Sequence, residues 1–435
     1  MKLMKQHYWQ DPLSTAALLQ SEPVLALLYS SGSDKYSGRY SFLAWECAET
    51  ISATTWSQLD AALTHNQHWY ENAWFGWLGY ALRCDSEKLL RKPDSFITFS
   101  DAQLMRFCHI IRFDHHTKNI EYYAQDTPDY RWQLPPETAQ TDIAAPHNNM
   151  QTLDIKSDMT KQRYLDIVAM TKKRIEAGDF YQANITRKFT GRLVNNSSNF
   201  HIFTILCCIS PSAYSAYFKF HKKSIISSSP ECFLSVDAIG NMLSRPIKGS
   251  AARGKTAIED KAIEQSLMDS EKDHAENRMI VDLVRNDIAR VSVAGSVHVE
   301  SSAVLSSFST VHHLISSVVA KKSPDTSTIK AVEACFPPGS MTGAPKIAAM
   351  QWCSENEPFE RGVYSGALGW FGGDGSCDLS VVIRTLLIDG DQFEFQVGGG
   401  IVADSSPELE WRETLTKARA IAMALGISEE ALAEL

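Results

Sequence analysis

The run LSVVIRTLLIDGDQFEFQVGGGIVADSSPELEWRETLTKARA, Leu379 to Ala420, decides the fold. Two strand-like segments, LSVVIRTLLID and FEFQV, are punctuated by glycines. A helix follows, with Ser406 as N-cap and Pro407 at its first position, and it runs to about Leu425. Upstream, TKQRYLDIVAMTKKRIEAGD places Tyr164, Val168, Thr171 and Ile175 at helical spacing, and Gly178 stops the helix. A third helix is predicted from Glu259 to about Arg290. Strands and helices do not alternate as a doubly wound sheet requires, so the expected class is α+β with largely antiparallel sheets.

The rest of the chain fits that class. Residues 1–132 read as a sheet-rich region with runs such as NAWFGWLGYAL and RFCHIIRF. Residues 133–159 turn polar and proline-rich, as a surface connection does, and 160–435 hold the chemistry-bearing motifs. With 435 residues, 44% of them apolar, the chain can bury a sizeable core. A net charge of −9 without a basic block excludes a nucleic-acid footprint. No segment approaches the ~20 apolar residues that span a bilayer, and the N-terminus lacks a signal-peptide core, so a cytoplasmic protein is expected. Nine cysteines without a C-x-x-C pair suggest packed thiols rather than a disulfide frame or zinc site. Adjacent Cys207 and Cys208 are expected on opposite faces of a strand.

Several constellations could carry chemistry. Asp273 and Glu276 are three apart on one helix, and Glu410 and Glu413 repeat the spacing on another, with Lys417 one turn on. Facing carboxylates suit Mg²⁺, a hard ion that takes oxygen ligands. The same acids could equally be solvated and paired at i,i+4 with Lys272, Arg278 or Lys417. Gly398, Gly399 and Gly400 follow a strand and could turn backbone N–H groups on an anion, or form a plain flexible turn. Arg384 interrupts an apolar strand and wants a carboxylate. FPPGSMTGAPK, Phe336 to Lys346, offers a glycine-rich turn before a helix but lacks Walker spacing. In SRPIKGSAARG, Lys248 sits in a tight turn, and Glu231 of SSSPECFL precedes it by 17 residues, so a hairpin could set acid and amine on one wall.

SRPIKGS, KDHAENRMIVDLVRND, FPPGSMTGAPK and GGGIVADSSPELEWRET, in that order, resemble the chorismate-binding enzymes. That family includes anthranilate synthase large component, aminodeoxychorismate synthase component I, isochorismate synthase and salicylate synthase. The resemblance implies two layered antiparallel β-sheets flanked by helices. It implies Glu276 and Glu413 as Mg²⁺ ligands, with Asp273 and Glu410 ordering the shell. Arg384, Gly398 to Gly400 and Lys417 would hold carboxylates, His313, Thr342 and Tyr364 would line the pocket, and Glu231 would protonate the departing 4-hydroxyl. Gln182 stands where relatives that add water carry a lysine base. PIKG and AEN resemble aminodeoxychorismate synthases, in which Lys248 would attack ring carbon 2 before ammonia enters at carbon 4. Ammonia would come from a separate glutaminase, since no G-x-C-x-G elbow is present, and the implied pathway is folate biosynthesis through p-aminobenzoate. Cys232 replaces a usual arginine, Ser250 a usual threonine, and SAARG lacks a common proline. Ser31, Arg39 and Tyr214 resemble a tryptophan pocket, with Ala213 where proline is common; a plain core role competes with that reading. The rival assignments are anthranilate synthase and, from another class, a non-catalytic subunit that binds tryptophan or a partner.

Overall fold

The computed structural model describes residues 1–31, 37–63, 66–87, 89, 91–133, 151–194 and 198–435. Most of the expected connection, 134–150, and part of the SSGSDKYSGRYSFLA segment, 32–36, lie outside them. All strand pairings are antiparallel, and the strands form one hydrogen-bonded network that folds into two layers.

The first layer runs, neighbour to neighbour, through Thr152–Ser157, Gln182–Leu193, Gln392–Ile401, Thr385–Asp389, Lys223–Ser229, Tyr214–Phe220, Val24–Tyr29 and Tyr40–Ala53. The long strands Tyr40–Ala53 and Ala102–Asp114 carry the network into the second layer. That layer continues through Trp74–Leu78, Ala367–Phe371, Cys377–Val381, Cys232–Val236, Asn241–Arg245 and Val311–Lys321. Strand Ile247–Ala252 runs on along the same edge of Val311–Lys321, and His298–Ser307 pairs with its other edge.

Period-2 alternation explains the layering, because successive side chains on a strand point to opposite faces. Val24, Ala26, Phe42, Ala44, Ala216 and Phe218 of the first layer meet Phe75, Trp77 and Leu368 of the second in one shared core. Their neighbours Leu25, Leu27, Leu43, Trp45 and Tyr217 point outward, into a core closed by helices Asn199–Ile209, Pro407–Ala424 and Glu429–Glu434. Trp74 and Leu78 point out of the second layer, under helices Trp56–Ala62, Glu271–Ala289 and Thr328–Cys335. The expected α+β class with layered antiparallel sheets and flanking helices holds.

Two local expectations need correction. The predicted helix from Glu259 to Arg290 is two helices, Ala257–Met268 and Glu271–Ala289. Ser270 breaks it: its hydroxyl accepts the Asp273 N–H at 3.2 Å and starts a new helix, while Asp269 closes the old one. Cys207 and Cys208 lie on the helix Asn199–Ile209, not on a strand, although one is buried and the other exposed. An uninterrupted apolar run reads as either element, and Ser198 caps this one as a helix. All nine cysteines are free. Among the described residues no helix is long and apolar enough to cross a membrane.

Candidate active site

The two acid-bearing helices pack on different layers and converge on a cavity of about 310 Å³. Its wall includes Glu231, Lys248, Asp273, Glu276, His313, Tyr364, Arg384, Gly398, Gly400, Glu413 and Lys417. Six sequence-predicted residues fall outside that lining among the described residues: Thr342, Gly399, Glu410, Ser31, Arg39 and Tyr214. Thr342 is fully buried behind it, its hydroxyl donating to the Gly339 carbonyl at 3.2 Å. Gly399 faces the other way: a Cβ there would stand 3.0 Å from Glu410 Oε2. Glu410 is buried and takes the Ser405 hydroxyl at 2.7 Å. Ser31 lies elsewhere, beside Ser212.

Lys248 sits on strand Ile247–Ala252, with Gly249 directly after it at φ +85. A Cβ on Gly249 would press to 3.1 Å from Asp273 Cβ and Cγ, so only glycine lets the strand cross the first turn of the acid helix this closely. The Lys248 amine reaches the opposite sheet: a Cβ on Gly400 would lie 3.2 Å from its Nζ and 2.5 Å from Gln182 Nε2. The register Gly400 to Asn184 places this pair on adjoining strands.

Glu231, on the same cavity wall, is buried. Burial pushes its carboxyl up to about 7, against the pull of the Ser340 hydroxyl, the Lys248 charge, the Ile247 N–H and Lys417. His313 is buried and pushed down to about 3 by burial and then by Arg384, so it is a neutral imidazole at neutral pH. Its Nδ1 lies 2.7 Å from the Ser250 hydroxyl. Burial also lowers Arg384 and raises Tyr364. The backbone of Arg384 is left-handed at φ +50, which turns its side chain out of strand alternation and into the cavity.

The acids are gathered by cations. Lys417 Nζ lies 2.6 Å from Glu413 Oε1 and donates to the Gly398 carbonyl at 2.8 Å. Burial opposes ionisation at Glu413, but Lys417 together with Lys248 and Lys272 outweighs it, and the Glu413 pKa falls. Lys272 Nζ lies 3.7 Å from Glu276 Oε1 and 3.8 Å from Glu410 Oε1, linking the two helices. Carboxylate oxygens from two helices around one positive charge are the donor set a hard divalent ion takes, so the residues fit Mg²⁺. A tighter cluster, Asp260, Glu264 and His312, lies away from this wall. There Asp260 is already held by Arg253 at 2.6 Å and His312 at 2.9 Å, which satisfies it without an ion.

Sequence reading did not single out Asn184, Ser340, Met341 and Gln396 as wall residues. Lys272 entered it only as an ion-pair partner, and Gln182 only as a side chain that cannot serve as a base. Gln182 is fully buried with both amide atoms unpaired beside Lys248. The alternation of Gln182, Asn184 and Thr186, which puts three polar side chains on one face of a strand, was the available signal.

Arg39 and Tyr214 border a separate cavity of about 330 Å³ together with Asp378. Burial pushes Asp378 up to about 7.

A cavity whose wall interleaves buried acids with lysines and an arginine suits an enzyme cleft. The chain belongs to the family of chorismate binding enzymes, whose model matches residues 22–423. The aminodeoxychorismate synthase of Streptomyces griseus is 37% identical over 363 residues, 79% of this chain and 49% of its own length. Anthranilate synthase component 1 of Aquifex aeolicus is 39% identical over 279 residues, 64% of this chain and 56% of its own. The chain thus spans about half the length of these curated relatives. The crystal structure of anthranilate synthase component I from Streptococcus pneumoniae matches with TM-score 0.75 and 28% identity over 90% of this chain and 93% of that one. The menaquinone-specific isochorismate synthase of Escherichia coli, 16% identical with TM-score 0.76 over 97% of this chain and 94% of that one, shares the fold.

Proposed function

We propose that this chorismate-binding enzyme aminates chorismate at ring carbon 4, giving 4-amino-4-deoxychorismate for p-aminobenzoate and folate synthesis. One observation carries the reading: Lys248 lines the same cleft as the buried acid Glu231, with its amine close to Gly400 of the glycine strand. Relatives named aminodeoxychorismate synthase support it.

In this mechanism Arg384 and Lys417 orient the substrate carboxylates, and Mg²⁺ held by Glu276 and Glu413 would neutralise the ring carboxylate. Asp273 and Glu410 brace those ligands. The free amine of Lys248 forms a bond to carbon 2, the ring double bonds shift, and the carbon 4–oxygen bond breaks. Glu231, whose carboxyl burial holds up to about 7, gives its proton to the departing hydroxyl, which leaves as water. Ammonia then bonds to carbon 4, the double bonds shift back, and the carbon 2–lysine bond breaks. Two displacements deliver nitrogen to carbon 4 where one would deliver it to carbon 2. A glutaminase partner supplies the ammonia. The cavity bordered by Arg39 and Tyr214 would take tryptophan.

Purified protein with chorismate, Mg²⁺ and ammonium salt should form a product that an added lyase converts to p-aminobenzoate. Anthranilate fluorescence instead would reject the assignment in favour of anthranilate synthase, the rival that relatives of similar identity sustain. Intact mass spectrometry without ammonia should show a chorismate-derived adduct on the wild type and none on Lys248→Ala.

A further inference from the structure

The metal assignment leaves Lys272 without a role, yet this side chain lines the cleft between the two acid-bearing helices. Its Nζ is 3.7 Å from Glu276 on its own helix and 3.8 Å from Glu410 on the other. Its charge is felt more weakly by Glu413 and Asp273, which it does not touch. Lys417 is committed elsewhere, since its ammonium engages Glu413 at 2.6 Å and the Gly398 carbonyl at 2.8 Å. The Lys272 side chain is 51% exposed, so its stem has an open path to water.

We propose that Lys272 is a built-in surrogate cation that bridges the two acid-bearing helices until the divalent ion binds, and that the ion enters by displacing it. The inference rests on the metal reading above. Glu276 and Glu410 come from different helices to the same ammonium, and without that positive charge the two carboxylates would repel and strain the approach of their helices. An ammonium at 3.7–3.8 Å and half exposed gains little from each contact and is released at small cost. The acids are thereby kept in place for the ion, and the ion's apparent affinity is lowered by the fraction of time the ammonium occupies the site.

Two measurements on the full chain test this, with Mn²⁺ as the probe ion and its free-ion paramagnetic resonance signal as the readout. Lys272→Met, which keeps the stem and removes the charge, should bind Mn²⁺ about tenfold more tightly than wild type, the factor expected if the ammonium occupies the site about nine-tenths of the time. A distant charge effect would tighten binding as well, so displacement is read separately on unmutated protein. Saturating Mg²⁺ should raise acylation of Lys272 by an amine-reactive ester several-fold by mass spectrometry, while Lys173, outside the cavity, is labelled at the same rate. Mn²⁺ binding that Lys272→Met leaves unchanged or weakens, or Lys272 labelling indifferent to Mg²⁺, overturns the surrogate role alone. A wild type that takes up no Mn²⁺ overturns the metal reading and this inference together.

Discussion

Glu231 faces opposed demands from stability and chemistry. Its folded pKa of about 7 lies above its ordinary 4.5, so the folded state holds a proton that the unfolded chain has released between those values. The associated stability is fully present below about pH 4.5 and lost as pH rises through 7. Glu231→Gln should therefore unfold about 1–3 kcal/mol later than wild type at pH 8, with the gain vanishing near pH 4. Thermal unfolding at both pH values checks this. The same variant cannot donate a proton and should lose turnover, whereas wild-type turnover should fall above about pH 7 as Glu231 ionises. A variant that is more stable and inactive is the signature of a buried acid kept for its proton.

At the scale of elements, what the sequence made legible follows from locality. The acid pairs were readable because a helix puts residues three apart on one face, and Asp273, Glu276 and Glu413 do reach the cavity wall. The Ser270 break was not anticipated, because a run of good helix formers on both sides masks a cap. Asn184 was beyond sequence reading as a wall residue, since its place depends on pairing with Gly400 more than 200 positions away. Thr342 was expected at the wall, but the short turn Gly339–Met341 presents Ser340 and Met341 instead. The strand pairing yields a sharp consequence at Gly400. An alanine there would bring its Cβ to 2.5 Å from Gln182 Nε2 and 3.2 Å from Lys248 Nζ. Gly400→Ala should displace the amine and lower kcat about 10–100-fold with a smaller change in chorismate KM, since misplacing a nucleophile by about an ångström has that effect. Steady-state kinetics alongside the intact-mass adduct yield separate this from a loss of binding.

Across the whole molecule, residues of the N-terminal 124 positions share strand pairings and a core with those of the catalytic motifs, and a buried ion pair locks them at the cavity. Arg83 and Glu360 are each 2% exposed and meet through two hydrogen bonds of 2.9 and 3.1 Å. Glu360 also accepts the Lys92 N–H at 2.7 Å, and the Arg83 guanidinium lies 4.2 Å over the Tyr80 ring. The next residue, Arg361, donates to the carbonyls of Met341 and Asn184, both cavity-wall residues, and pairs with Glu357. Removing one partner of such a pair leaves a charge stranded in a low-dielectric interior, while removing both leaves only a packing change. Arg83→Met should therefore lower stability by about 3–5 kcal/mol, and Arg83→Met combined with Glu360→Leu should recover most of that loss. Urea unfolding midpoints of wild type, both single variants and the double variant measure the coupling. Because Arg361 ties this pair to the wall, the single variant should also raise chorismate KM, and the double variant should bring it back toward wild type; a KM indifferent to Arg83→Met would separate the lock from the site.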